Sequence, residues 1–303
     1  MKKWHLQIVL SFLFALLITY VLTKIYAAPH IQDIYLSKSQ DGIHLSGFEG
    51  PVLKGRPVPT GAYFEDGWMR IWADDGIYRR FVRWLKTKDN HFVTGLAVAK
   101  SKDGLHFQKE RMTLDTFPYR LALLTDPTLI KTKEGRWRLY ASVWERREDG
   151  IAKPLHSLIS DNGVNWQYEG KVTDYTCGDS TILFVEEKNY YVLYCPSGSQ
   201  TQIAISSDGK SFPQLKDSPF LGVQGAIKGK EGYLIYYDQK PDLEVKDSGV
   251  VLSDDGVSID KDIYLDFPIN EPAIIKHPNG WYYYYSCFPS VFVESIRPDN
   301  KKD

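Results

Sequence analysis

The sequence predicts an all-β fold: a five-bladed β-propeller whose last blade is closed by strands from the two ends of the chain. Three observations carry this expectation. Five stretches share one shape, an apolar or β-branched run, a polar turn and an aromatic-rich run, at residues 61–74, 125–142, 178–195, 223–238 and 270–286. Each reads as a tight β-hairpin. A hairpin cannot bury its apolar face alone, so five copies imply five sheets packed about an axis. A second element alternates with the first: SQDGIHL around Gly42, SKDGLHF around Gly104, SDNGVNW around Gly163, SSDGKSF around Gly209 and SDDGVSI around Gly256. These copies lie roughly 45 to 60 residues apart, the length of one four-stranded blade. Finally, the first turn element has no hairpin before it, and the last hairpin has no turn element after it. Pairing the two closes the ring and removes the free sheet edges an open ring would expose.

At the N-terminus, Lys2 and Lys3 precede an apolar run from Ile8 to Leu22, followed by Lys24 and Tyr26-Ala27-Ala28-Pro29. Residues 1–28 therefore read as a secretory signal peptide or a retained signal anchor. Either outcome places residues 29–303, a single propeller domain, outside the cytoplasm: secreted, periplasmic or membrane-anchored. No linker or composition shift marks a second domain. The membrane is expected to matter only through the N-terminal segment, and the chain is expected to act as a monomer.

The turn elements are architectural. Asp or Asn accepts backbone N–H bonds, Gly takes the positive φ, and the following aromatic or apolar residue packs back between layers. They sit at outer hairpins, so their aspartates are not catalytic candidates. Residues 75–95 are read as an extension of blade 1, and residues 143–155 as an extension of blade 2. Tyr282 to Tyr285 alternate faces along a strand, which sends about half of them between blades.

Three cysteines, Cys177, Cys195 and Cys287, are an odd count and no disulfide framework. Cys177 and Cys195 flank one hairpin and could pair across it in an exported protein, leaving Cys287 free. The formal net charge of −1 gives no sign of a nucleic-acid partner. None of the seven histidines, alone or with cysteine, has zinc-site spacing. No phosphate-cradling glycine loop and no serine nucleophile elbow occurs, so neither cofactor nor metal is expected.

Residues at the starts of innermost strands converge on a propeller axis from blades far apart in sequence. Here they are Asp126, Asp179 and Glu271, with Gln224 in blade 4 and the Tyr63 to Asp66 region in blade 1. Crowded carboxylates raise one another's pKa and so separate a protonated acid from an ionised base. Each also has a plain structural reading: Asp126-Pro127 and Glu271-Pro272 suit turns, Asp179 follows Gly178, and Gln224 suits a buried amide.

The openings TDPTLI (125–130) and NEPAII (270–275), the hairpin ends GRWRLYAS and GWYYYYS, and the repeated S-x-D-G turns resemble the five-bladed β-propeller glycoside hydrolases, families 43 and 32 and their relatives. The resemblance covers nearly all of the chain after residue 28. It implies hydrolysis of a glycosidic bond, with one carboxylate as base or nucleophile and a Glu as general acid. Carried onto this chain, it makes Asp126 the base or nucleophile, Glu271 the acid and Asp179 a third funnel carboxylate. Counted from Asp126, Gln224 stands where a modulating Asp is implied.

The expected partner is a carbohydrate. Gln224 could bond a sugar hydroxyl, and Trp68, Trp72, Trp84, Trp137 and Trp144 are candidates for stacking on sugar faces, with core packing as the alternative for each. Arg79, Arg80 and Arg83, with Arg146 and Arg147, make an anionic sugar attractive if they face the funnel. Two other functions compete: a non-catalytic carbohydrate-binding propeller, and a protein-interaction propeller in an envelope complex.

Overall fold

A computed structural model describes residues 32–55, 58–74, 92–94, 96–115, 117–118, 121–147, 150–197, 200–238, 248–265 and 269–289. The N-terminal signal or anchor, residues 75–91 with Arg79, Arg80, Arg83 and Trp84, and the side chains of Arg146 and Arg147 lie outside the described residues.

Five antiparallel sheets form the propeller. Blade 1 comprises Thr60–Tyr63, Met69–Asp74, Leu96–Ser101 and Gln108–Glu110, and blade 2 Leu121–Lys131, Trp137–Val143, Leu155–Ser160 and Asn165–Lys171. Blade 3 comprises Thr181–Val185, Tyr190–Ser197, Gln200–Ser206 and Lys216–Leu221, and blade 4 Val223–Lys228, Tyr233–Asp238, Ser248–Ser253 and Lys261–Tyr264. Blade 5 takes Ala273–Lys276 and Tyr282–Pro289 from the C-terminal part, and Gln32–Ser39 and Glu49–Leu53 from the N-terminal part. Its closure runs in continuous antiparallel register from Gln32 opposite Pro289 to Ser39 opposite Tyr282. The ring is thus closed by main-chain bonds, as the order of the repeats predicts.

Blade 2 is the widest. Its innermost strand pairs in parallel with Phe92–Thr94, and its outermost strand pairs in parallel with Thr113–Asp115. Residues 92–94 therefore belong to blade 2 rather than extending blade 1, because Leu121–Leu123 offers them an unpaired edge. The blade 2 extension is a small hairpin, Glu145–Arg147 against Gly150–Ala152.

The turn elements do more than reverse the chain. In each, the Ser hydroxyl accepts the Gly N–H, as between Ser39 and Gly42 (3.0 Å), and the Asp or Asn side chain accepts the N–H groups that follow. The freed Gly carbonyl then takes a tyrosine hydroxyl from the preceding blade. Tyr140 of blade 2 donates to Gly209 of blade 3 (2.8 Å), and Tyr194 of blade 3 to Gly256 of blade 4 (2.6 Å). Tyr236 of blade 4 donates to Gly42 of blade 5 (2.6 Å), and Tyr285 of blade 5 to Gly104 of blade 1 (3.1 Å). The relay runs around the ring, and the buried hydroxyls that drive it are satisfied.

The fifth contact is steric. Gly163 has φ +71°, and a Cβ there would lie 2.2 Å from the Phe64 ring of blade 1. Gly163→Ala is expected to lower stability by about 2–4 kcal/mol, from backbone strain plus overpacking. Gly47, with nothing within 4 Å of its missing Cβ, is the control: Gly47→Ala should shift thermal unfolding by far less. Equal shifts for the two would contradict the interlock.

Aromatic side chains fill the spaces between blades. Along Tyr282–Tyr285 the rings alternate: Tyr282 and Tyr284 pack toward blade 4, while Tyr283 and Tyr285 pack toward blade 1. Between blades 2 and 3, Tyr140, Tyr191, Leu193 and Phe212 surround a disulfide joining Cys177 to Cys195 across a Cα–Cα distance of 5.4 Å. Cys287 is free and buried. The bridge closes a loop 18 residues long, which in the chain-entropy account stabilises the fold by about 3 kcal/mol. Chemical denaturation of a Cys177→Ala, Cys195→Ala protein should show a loss of that order, and an unchanged midpoint would contradict it.

Candidate active site

The innermost strands do not begin as regular β-structure. Asp126 and Asp179 both have φ +51°, Val58 has φ +51° and Glu271 φ +44°. Each side chain other than Gly loses roughly 1–3 kcal/mol in this left-handed region. Four such residues at equivalent positions in four blades mark a shared device. A left-handed residue breaks the pleat alternation and re-aims its side chain, here toward the axis. Blade 4 reaches the same end with a bulge: Val223 opposes Tyr237 and Gly225 opposes Tyr236, so Gln224 is unpaired. In blade 2, Asp126 and Pro127 together oppose Ala141, between the pairs Thr125–Ser142 and Thr128–Tyr140.

The result is one cavity on the axis, about 610 Å³ counted to its open mouth, lined at the five strand starts by Val58, Asp126, Asp179, Gln224 and Glu271. Four of these, Asp126, Asp179, Gln224 and Glu271, are strand-start residues that the sequence singles out. In blade 1 the expectation of Tyr63 to Asp66 is wrong: Val58 occupies the axial position. Tyr63 packs on His277, with ring centroids 4.6 Å apart, and Asp66 forms an ion pair with Arg70 (2.6 Å). Those residues sit at the turn end of Thr60–Tyr63, one strand length from the strand start at Val58. The missed signal was Val58-Pro59-Thr60, which repeats the pattern of Asp126-Pro127-Thr128 with an apolar first residue.

Hydrogen bonds hold the constellation. The Asp126 N–H donates to Asp74 Oδ1 (3.3 Å), and the Thr125 hydroxyl donates to Asp126 Oδ2 (3.1 Å). Asp74 and Thr125, both buried, carry no sequence signal that singles them out. The Glu271 N–H donates to Gln224 Oε1 (3.2 Å), so the amide braces the backbone of a carboxylate. The Thr128 hydroxyl donates to the Ser180 carbonyl and ties blade 2 to blade 3 beside Asp179.

Electrostatics separates the three acids. Glu271 is half-buried, and removal from bulk water is the largest cause pushing its pKa up to about 8. The charges of Asp179 and Asp126 add to the rise, and the Val58 N–H, which bonds the carboxylate, opposes it. Asp179 is the most open of the three, with its exposed surface at the cavity. Its pKa is raised to about 6 by surrounding protein, by the charge of Asp126 and by a hydrogen bond shared with Asp126, against a downward pull from Lys153. Asp126 thus supplies negative charge that both neighbours feel. Among the described residues, no group of three or more His, Cys, Asp or Glu is arranged to hold a metal ion.

No protein-family model and no curated protein matches the sequence. Solved structures do. A family 117 glycoside hydrolase from the marine bacterium Zobellia galactanivorans superposes with TM-score 0.53 at 13% identity, covering 86% of this chain and 92% of that one. A β-1,2-mannobiose phosphorylase from Listeria innocua gives TM-score 0.52 at 12% identity, over 79% and 91% of the two chains. An engineered family 43 glycoside hydrolase with endo-xylanase and exo-arabinofuranosidase activity gives TM-score 0.51 at 14% identity, over 77% of this chain and 49% of its own. This chain spans about half the length of that last enzyme. It has the five-bladed propeller of the family 43 and family 117 glycoside hydrolases. At these identities the likeness is one of fold.

The aromatic candidates divide. Trp144 is 42% exposed, and its indole N–H donates to Thr125 Oγ1 (3.1 Å), next to Asp126. Trp68 does not reach the site. It lies in the hairpin turn at the far end of blade 1, with the ammonium groups of Lys100 and Lys102 at 4.8 and 4.9 Å from its ring. Trp72 is fully buried, and Trp137 packs on Phe64 at 4.4 Å. Arg79 lies outside the described residues.

Proposed function

We propose that this propeller hydrolyses a glycosidic bond in its axial cavity, with Glu271 as general acid and Asp126 as base or nucleophile. The observation that carries the reading is the meeting of Asp126, Asp179 and Glu271 from three blades in one cavity, with Glu271 raised to about 8. A carboxyl with that pKa holds its proton at neutral pH and can give it to the leaving sugar oxygen as the C–O bond breaks. Asp126 then takes a proton from the attacking water or bonds to the anomeric carbon directly. Asp179 remains the third carboxylate, beside the positive charge that develops on the sugar ring. Gln224 fixes the backbone of the acid, and Trp144 offers a flat face for a sugar beside Asp126.

The substrate in this reading is an oligo- or polysaccharide outside the cytoplasm. The basic and apolar N-terminal sequence supports that location, and so does the Cys177–Cys195 bridge, since disulfides persist in oxidising compartments. A second reading, a non-catalytic carbohydrate-binding propeller, draws on Val58, an apolar residue at one of the five axial positions.

The test is release of reducing sugar from a polysaccharide panel by the protein and its Asp126→Asn and Glu271→Gln variants. Because a phosphorylase shares the fold, the panel is run with and without inorganic phosphate. Release by the wild type alone supports hydrolysis. Equal release by all three removes these residues from the mechanism, and binding without release favours the second reading.

A further inference from the structure

Lys153 stands in the two-residue link between Gly150–Ala152 and Leu155–Ser160 of blade 2. Its backbone is clamped on both sides. The Lys153 N–H donates to Thr176 Oγ1 (3.1 Å), and its carbonyl accepts the Cys177 N–H (3.1 Å), next to the disulfide. The side chain therefore starts from a fixed base. Its ammonium lies 4.6 Å from the centre of the Trp144 ring, and that ring is itself tied through Thr125 to Asp126.

Gly178 marks where these groups converge. A Cβ at this glycine would lie 3.5 Å from Asp126 Oδ2 and 3.8 Å from Lys153 Nζ. A side chain at this position would stand between the cation and the base. Among the described residues Lys153 makes no direct ion pair: its charge pulls the Asp179 carboxyl down through space, while its ammonium rests over the Trp144 face. An ammonium held on an exposed aromatic ring beside Asp126 keeps its hydrogen-bond donors free for an arriving group.

We propose that Lys153 and Trp144 form a subsite for a sugar bearing an anionic substituent, seated next to the bond that is cleaved. Trp144 covers the apolar face of the ring and Lys153 takes the anion. This rests on the carbohydrate reading of the cavity and adds the charge class of the substrate. A carboxylate and a sulfate present the same chemistry to a single ammonium, which is a point charge rather than a fork, so the probes include both.

The experiment measures binding by calorimetry and Trp fluorescence in the Glu271→Gln protein, so that ligand is not consumed. The probes are neutral oligosaccharides paired with their uronate-containing and sulfated counterparts. The expected result is binding about tenfold tighter for at least one anionic member than for its neutral parent, as for a charge-assisted bond at low salt. That advantage should vanish with Lys153→Met, persist with Lys153→Arg, and shrink as salt rises. Whether uronate or sulfate shows it identifies the substituent. Thermal unfolding of each variant confirms that it folds. Neutral and anionic members bound alike, or a preference that survives Lys153→Met, would overturn this inference while leaving the carbohydrate reading in place. Failure to bind any member would overturn both.

Discussion

Glu271→Gln should cut kcat/KM by about 10²–10⁴-fold, the usual contribution of a positioned general acid. The pH profile sharpens the expectation. The acid works while it holds its proton, so wild-type activity should fall as pH rises through about 8. The Gln variant should lack that alkaline limb. The substitution should affect stability in the opposite sense to activity. The folded carboxyl titrates near 8 and the free group at 4.5, so between these values the folded state binds the proton more tightly than the unfolded state. Linkage then makes the contribution of Glu271 complete below about 4.5 and progressively lost as pH climbs to 8. Glu271→Gln removes that loss. At pH 8 the variant should unfold at a higher temperature than the wild type by the equivalent of roughly 2 kcal/mol, a figure discounted because the group is only half-buried in an open cavity. At pH 4 the two should coincide. A variant that is inactive but no more stable at pH 8 would mean that Glu271 is not held protonated.

Asp126→Asn should cost a similar factor of about 10²–10⁴ in kcat/KM, and it makes a second demand. The charge of Asp126 raises both Asp179 and Glu271. Removing it should lower both and move the alkaline limb of whatever activity remains to a pH below 8. Asparagine tolerates the left-handed backbone that Asp126 adopts, and it keeps an oxygen for the Thr125 hydroxyl. Stability should therefore stay within about 1 kcal/mol of the wild type. A residue with only a structural role would lower the melting temperature and leave the limb where it was.

The propeller was legible because its signals are local and repeated. Ser, Asp and Gly at fixed offsets specify a turn by hydrogen bonding and a positive φ, whatever surrounds them, and the five copies around Gly42, Gly104, Gly163, Gly209 and Gly256 set both blade number and closure. Asp126, Asp179, Gln224 and Glu271 were legible for the same reason: they open strands in a known register. Blade 1 was misread because Val58 carries no chemistry to draw attention, and because its strand starts earlier than the hairpin pattern suggests. Trp68 and Trp144 look alike in sequence. Only the end of the blade on which each falls separates a turn residue from one beside Asp126.

Three other features needed the assembled ring. Asp74 lies 52 residues before the backbone N–H it accepts, and the tyrosine relay links hydroxyls to glycines in the neighbouring blade. Lys153 comes to face Trp144 through the Thr176–Cys177 clamp. None of these pairings is written in local sequence, since each depends on how two sheets meet.

The account turns on a carboxyl that stays protonated at neutral pH because the closed ring removes it from bulk water and sets it beside other acids. Isotope-edited infrared or carbon NMR titration of Glu271 measures this directly, with Glu271→Gln assigning the signal. The expected midpoint is near 8 in the wild type and lower in Asp126→Asn. A midpoint near 4.5 that ignores Asp126 would contradict the account.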